Sequence, residues 1–263
     1  MVMPIHTTMF VPISGRYACW SKLSAFLDNQ LIERATTKLC LLDTSNDYEF
    51  SRTVERWTLQ ADYAQCHHVR HVFHPEARLA DKPRGQHFND VNNVMVEIYR
   101  YAQTVAEGHT LFVVEDDVIP PVDAFVKLDA HLHRYCDVFS VSGAYLIRGQ
   151  SAWTAWYDTS GEILTPGDGV EPVRATGLGC VVMDAGVFRD FPIRWTPQGR
   201  GRRKWPWGYD MEFFTDINKA GLATLINWDV RCDHLDKHGV PWQPVPTSDT
   251  GPPRTPEEAL LDQ

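Results

Sequence analysis

The sequence lacks any apolar stretch long enough to cross a bilayer, so a helical membrane span is not expected. Its six cysteines, Cys19, Cys40, Cys66, Cys136, Cys180 and Cys232, stand singly. With no close pairs, neither a disulfide framework nor a cysteine-held zinc is expected, and a reducing cytoplasm is the natural setting. There is no Gly-x-Gly-x-x-Gly and no Walker-type phosphate loop, which counts against a dehydrogenase or a nucleoside triphosphatase. The formal charge of −9 offers no general basic footprint for nucleic acid. Residues 1–14 lack a basic start and a small-residue cleavage site, and read as a first strand rather than a secretory leader.

What is present is a chain of 263 residues, 43% apolar and 22% charged, the size of one large α/β domain or two small ones. Strand signals at 8–13, 38–42 (closing on Asp43), 68–73 and 110–114 alternate with helix signals in the first half. The helices are marked by Trp20, Leu23, Leu27 and Leu31, by residues 50–61, and by Val91, Val94, Ile98, Ala102 and Val105 before a terminating Gly108. The second half is less regular, with strands expected over 137–141, 143–148, 179–183 and 223–226 and a helix over 210–220. This alternation predicts an α/β fold with a mostly parallel sheet covered by helices. We expect one catalytic domain over 1–244, with a donor half to about residue 118 and an acceptor half beyond it. A loosely packed tail rich in Pro, Thr and acids is expected over 245–263.

The most informative stretch is Leu111-Phe112-Val113-Val114 running into Glu115-Asp116-Asp117 and turning at Pro120-Pro121. Such an apolar run reads as a strand buried on both faces. Acids at its carboxyl end lie where open α/β sheets place ligands. Adjacent carboxylates repel, and Mg²⁺ or Mn²⁺ shared with substrate phosphates answers that repulsion best. The plainer reading is that the acids open the next helix, with Pro121 in its first turn.

Segment 194–207 is unusual. It carries Arg194, Arg200, Arg202, Arg203 and Lys204, together with Trp195, Trp205 and Trp207, and no acid. Tryptophan faces stack on sugars or bases and guanidinium groups pair with phosphates. The segment reads either as a loop closing on a diphosphate or an anionic acceptor, or as a solvated loop with its tryptophans in the core. The histidines around Cys66-His67-His68 fall on both faces of a strand, so no metal site is expected there. Trp153, Trp156 and Tyr157 read as packing or an acceptor wall.

Six blocks in order carry a resemblance: Pro12-Ile13-Ser14-Gly15-Arg16, Leu41-Leu42-Asp43-Thr44-Ser45-Asn46-Asp47, Glu115-Asp116-Asp117, Ala175-Thr176-Gly177-Leu178-Gly179-Cys180, Gly208-Tyr209-Asp210-Met211-Glu212-Phe213 and His234. Their order and spacing over residues 9–235 resemble inverting glycosyltransferases of the glycosyltransferase-A fold, most like family 2. The resemblance implies a nucleoside diphosphate sugar as donor, a divalent metal and a hydroxyl acceptor. It implies Asp117 as a metal ligand, with Glu115 nearby and His234 completing the set; Mn²⁺ tolerates imidazole better than Mg²⁺ does. Glu115 departs from the commoner Asp at its position. The donor would meet Pro12, Ser14, Arg16, Asp43, Glu115 and Asp116, with Asp43 at the nucleobase and Arg16 near the diphosphate. The acceptor would meet Gly177, Leu178, Gly179, Arg203, Trp205 and Trp207, any of them equally explicable as turn or core. Asp210 is the implied base, with Glu212 as second candidate, because Tyr209-Asp210 stands where a Glu-Asp pair is common. Asp43 as a turn aspartate, His234 as a surface histidine and Asp210 as a helix cap are the plainer alternatives.

The acceptor left open by these residues includes a glycan, a lipid-linked phosphate, a teichoic-type polymer or a modified nucleic acid. Two other enzyme classes compete: a nucleotidyltransferase, disfavoured because only Gly15-Arg16 follows strand one, and a metal-dependent phosphodiester hydrolase using Glu115, Asp117 and His234. A carbohydrate-binding domain without catalysis would have no need of a base at Asp210.

Overall fold

In a computed structural model, which describes residues 3–71, 84–148, 150–157, 166–196 and 208–243, strand and helix alternate through the first half of the chain. The elements are β1 (Thr7–Ile13), α1 (Tyr17–Asn29), β2 (Thr37–Asp43), α2 (Tyr48–Thr58), β3 (Gln65–Arg70), α3 (Arg84–Val105) and β4 (Thr110–Val114). Then come β5 (Val118–Ile119), α4 (Ala124–Leu132), β6 (Val138–Ala144), β7 (Ala155–Trp156), β8 (Val170–Val173), β9 (Ala175–Thr176) and β10 (Cys180–Asp184). The last are α5 (Ala185–Asp190), α6 (Tyr209–Lys219), β11 (Ala223–Arg231) and β12 (Asp233–His234).

Eight strands form one sheet in the order β3-β2-β1-β4-β10-β6-β11-β8. β3, β2, β1 and β4 are parallel throughout. β10 runs antiparallel between β4 and β6, β11 is parallel to β6, and β8 closes the edge antiparallel. Every residue of β1, β2 and β4 is buried, and their side chains alternate between two cores. Met9, Val11, Leu39, Leu41, Phe112 and Val114 meet α1, α2 and α4 on one face. Phe10, Cys40, Leu42, Leu111 and Val113 meet α3, α5 and α6 on the other. The expected helix-covered, mostly parallel sheet is what the chain builds.

Local chemistry explains the boundaries, including those that differ from expectation. Asp47 caps α2, accepting from Glu49 N and Phe50 N at 2.9 and 3.1 Å. α1 ends at Asn29 because Gln30 is extended (φ −63, ψ 146), so Leu31 leaves the helical stripe and is 55% exposed. The expected strand over 143–148 is instead the end of β6 followed by a turn carrying Arg148, where Gln150 N bonds Ile147 O. β3 starts at Gln65 and ends at Arg70; residues 72–73 lie outside those described. The three acids do not open a helix, since β5 intervenes and α4 begins at Ala124 behind Asp123. Among the described residues no helix is long and apolar enough to cross a membrane.

Two placements build the site. β1, β2 and β4 end side by side, which sets the loops after Ile13, Asp43 and Val114 together. β12 pairs antiparallel with β5, with His234 opposite Val118. Leu235 N donates to Asp117 O at 2.7 Å, so this short ladder delivers the histidine to the acidic turn.

Candidate active site

The three acids point three ways. Asp116 turns back to the end of β1, where its Oδ2 accepts from Ser14 N and Ser14 Oγ at 2.9 and 2.8 Å and its Oδ1 pairs with Arg16 Nη2 at 2.5 Å. Asp117 Oδ2 accepts from Arg16 Nη1 at 2.8 Å and also from Arg148 Nη2. Glu115 Oε1 accepts from Tyr99 Oη at 2.8 Å, and its backbone N bonds Gly179 O at 2.9 Å. Burial raises the Glu115 carboxyl above its ordinary range, more than the Tyr99 bond and His234 lower it. A cavity of about 300 Å³ opens among Pro12, Ser14, Arg16, Glu115, Asp117 and Arg148.

His234 lies at the edge of this group, its Nε2 3.6 Å from Asp117 Oδ2. Its Nδ1 sits 2.6 Å from Leu146 O, which places the ring proton on Nδ1 and turns the Nε2 lone pair toward Asp117. Burial, reinforced by Arg148, lowers the imidazole to about 4, so it is neutral at physiological pH. A surface-histidine role does not fit a side chain that is 12% exposed and bonded this way.

Asp210 stands in the first turn of α6, and the cap position belongs to Gly208, not to Asp210. Its Oδ1 accepts from Met211 N at 2.8 Å, and a Cβ on Gly208 would fall 2.5 Å from that oxygen. Asn92 holds the turn from α3 by accepting from Tyr209 N at 3.0 Å. Burial lifts the Asp210 carboxyl to about 6, outweighing the backbone hydrogen bonds that lower it. Glu212 is engaged otherwise: Thr196 N and Oγ1 donate to it at 2.9 and 3.3 Å, and Arg194 lies 3.9 Å away. That carboxylate ties residues 194–196 to the first turn of α6.

Three other expectations change in the same way. Asp43 is 0% exposed, its carboxylate held by Ser45 N (2.8 Å), Ser51 Oγ (2.5 Å) and His68 Nε2 (3.2 Å). Burial alone would raise it, but the bonds from His68, Ser45 and Ser51 hold it below the usual carboxylate range. In this arrangement Asp43 shapes the turn after β2 and presents no surface to a nucleobase. Leu178 is 2% exposed and belongs to the core, so its side chain is closed to an acceptor. Gly177 and Gly179 do permit a close approach, but the group that approaches is Tyr145. A Cβ on them would lie 2.1 and 2.8 Å from its Oη, which accepts from Gly179 N at 2.8 Å. Gly177→Ala is expected to destabilise the protein by about 1–3 kcal/mol through overpacking. A denaturation midpoint measures this, and Tyr145→Phe in the same chain should restore part of the loss. Arg203, Trp205 and Trp207 lie outside the described residues.

No protein-family model matches the sequence, and no curated protein is similar enough in sequence to match it. Solved structures do match. A mannosyltransferase from Pyrobaculum calidifontis, solved with GDP-Man and Mn²⁺, aligns with a TM-score of 0.56 at 14% identity, over 90% of this chain and 59% of its own. GalNAc-T7, solved with UDP, GalNAc and Mn²⁺, gives 0.60 at 14% identity, over 95% of this chain and 46% of its own. TarS from S. aureus gives 0.50 at 12% identity, over 84% of this chain and 35% of its own. The fold is of the glycosyltransferase-A type. At these identities the likeness is one of fold, and the chain spans between 35% and 59% of the lengths of these proteins.

Asp117 Oδ2 and the His234 Nε2 lone pair stand 3.6 Å apart. Two donors each about 2.0–2.2 Å from one ion would have a separation of this kind. A neutral imidazole lone pair and a carboxylate are both acceptors, so a cation or a water donating to both would join them. Among the described residues no group of three His, Cys, Asp or Glu side chains could hold an ion alone, so further ligands would come from substrate oxygens or water. Arg148, Tyr99 and Tyr145 contact Asp117, Glu115 and Gly179 N respectively, although nothing in their local sequence marks them. The only available signal was their position beyond strand ends or on the inward stripe of a helix.

Proposed function

We propose that the chain is a glycosyltransferase that moves one sugar from a nucleoside diphosphate donor to an acceptor hydroxyl, with inversion at the anomeric carbon. The observation that carries this reading is the pairing of two chemistries around Glu115. A carboxylate–imidazole couple at Asp117 and His234 suits a divalent ion, and Asp210 offers a carboxyl raised to about 6. Both Asp210 and His234 lie within electrostatic reach of Glu115. The reading is supported by fold neighbours whose names state sugar transfer, nucleotides and Mn²⁺.

Asp210 acts as the base, ionised at neutral pH yet basic enough to take the acceptor proton as that oxygen attacks opposite the nucleotide. Asp117 and His234 would hold Mn²⁺ or Mg²⁺, which when bound supplies Lewis-acid neutralisation of the departing diphosphate. Ser14 and Asp116 fix the β1–α1 loop so that Arg16 faces the same cavity. Tyr99 fixes Glu115. The acceptor is anionic in this reading, met by Arg203, Trp205 and Trp207 from the basic segment.

A thermal-shift panel of UDP, GDP, dTDP, CDP and ADP, each with and without Mn²⁺, tests it. At a hundred times its dissociation constant the true diphosphate should stabilise by about 2.7 kcal/mol, and only with metal. If none does, the transferase reading fails and metal-dependent phosphodiester cleavage becomes the assay to run.

A further inference from the structure

Three groups converge on one oxygen. Asp117 Oδ2 is met by Arg16 Nη1, by Arg148 Nη2 and, at 3.6 Å, by His234 Nε2. The same atom is the one nearest His234 for sharing a divalent ion, so an ion there competes with the guanidinium groups for it. An ion bonded there would stand beside two guanidinium groups that have lost their partner and repel it.

Arg148 is the more telling of the two. Arg16 keeps Asp116 and Ser14 as further partners, at 2.5 and 2.8 Å. Among the described residues Arg148 has only Asp117: its Nη2 is bonded there, and its buried Nε has no hydrogen-bond partner. An orphaned guanidinium donor beside a cavity of about 300 Å³ is a group left short of an acceptor. A diphosphate has the oxygens to take a guanidinium in a bidentate pair, which a single carboxylate oxygen does not. The turn that carries Arg148 follows β6 and is closed by the bond from Gln150 N to Ile147 O.

We propose that Arg148 is a diphosphate-binding residue that stands in for the metal on Asp117 until the donor arrives. The inference rests on the transferase reading above. In the free protein Arg148, with Arg16, neutralises Asp117. When a diphosphate enters, Arg148 exchanges the carboxylate for phosphate oxygens, and Asp117 is released to the ion beside His234. Metal and diphosphate therefore bind as a pair, each promoting the other by the same factor.

The test is a Mn²⁺ titration followed by the free-ion signal in electron paramagnetic resonance, on wild type, Arg148→Gln and Asp117→Asn. Each is run alone, with GDP and with UDP. Arg148→Gln should bind Mn²⁺ alone about tenfold more tightly than wild type, while the gain on adding the diphosphate shrinks by a similar factor. Asp117→Asn should remove the binding in every arm. Arg148→Met serves as a second variant, keeping the apolar stem if the Gln chain does not fold. Unchanged or weaker binding of Mn²⁺ alone in both Arg148 variants overturns the proposal while leaving the metal reading intact. Failure of wild type and both variants to hold Mn²⁺ with or without either nucleotide sinks the metal reading itself, and this inference with it.

Discussion

Asp210→Asn is expected to abolish sugar transfer and at the same time make the protein more stable at neutral pH. A positioned base contributes roughly 10²–10⁴-fold, so turnover should fall by at least a hundredfold. Asparagine keeps the shape and can still accept from Met211 N, so diphosphate binding should be nearly unchanged. The stability gain follows from the same carboxyl. Burial puts it at about 6 in the folded chain against 3.8 ordinarily. A carboxyl raised in this way favours the folded state below the lower value, and that contribution is lost as pH rises through about 6. At pH 7.5 the charge costs on the order of 2–3 kcal/mol, which Asn removes. Melting curves of the two chains should therefore separate at pH 7.5 and draw together near pH 4. The wild-type kcat/KM should fall on the acid side of about 6. A variant that kept a tenth of wild-type turnover would end the base assignment, and one that melted lower at pH 7.5 would end the burial argument.

The second large effect has the opposite sign in stability. Asp117→Asn takes one carboxylate from Arg16, Arg148 and His234 together. Leaving Arg148 without its partner should cost about 2 kcal/mol, less than a fully buried pair would because both guanidinium groups keep some solvent. Metal-dependent nucleotide binding should weaken by about a hundredfold or more, since even indirect partners of a metal ligand are worth 10–100-fold. Calorimetric titration of the stabilising diphosphate with Mn²⁺ would show it. His234→Ala should weaken the same binding and leave metal-free stability less affected, because the imidazole is already neutral. Binding that survived Asp117→Asn at wild-type strength would remove this carboxylate from the donor site.

The parts of the molecule legible in its sequence are those governed by local periodicity. β1, β2 and β4 are buried on both faces, so continuous apolar runs marked them, and the acids after Val114 stood out against that run. α6 was legible from its inward Phe213, Phe214 and Ile217. What escaped depends on distant contacts. β5 and β12 have two residues each, too few for any pattern, yet they set His234 beside Asp117. Arg148 looked like the end of a strand because its meaning comes only from Asp117. Gly177 and Gly179 signalled a close approach without saying whose, and Tyr145 is the residue immediately after β6. Leu31 was misplaced for a smaller reason, a single extended residue at Gln30.

β10 lies between β4 and β6 although it enters the chain long after both. Until it inserts, β4 has only β1 beside it, and one edge of the strand that bears the acids is open. Closing so long a loop is entropically slow, whereas the β1–α1–β2 and β2–α2–β3 units need only near neighbours. A chain in which β10 had not inserted would leave an apolar strand edge open, the kind of edge that recruits other chains. The acids at the end of β4 and the histidine on β12 are thus brought together only by pairings distant in sequence, those of β10 with β4 and of β12 with β5.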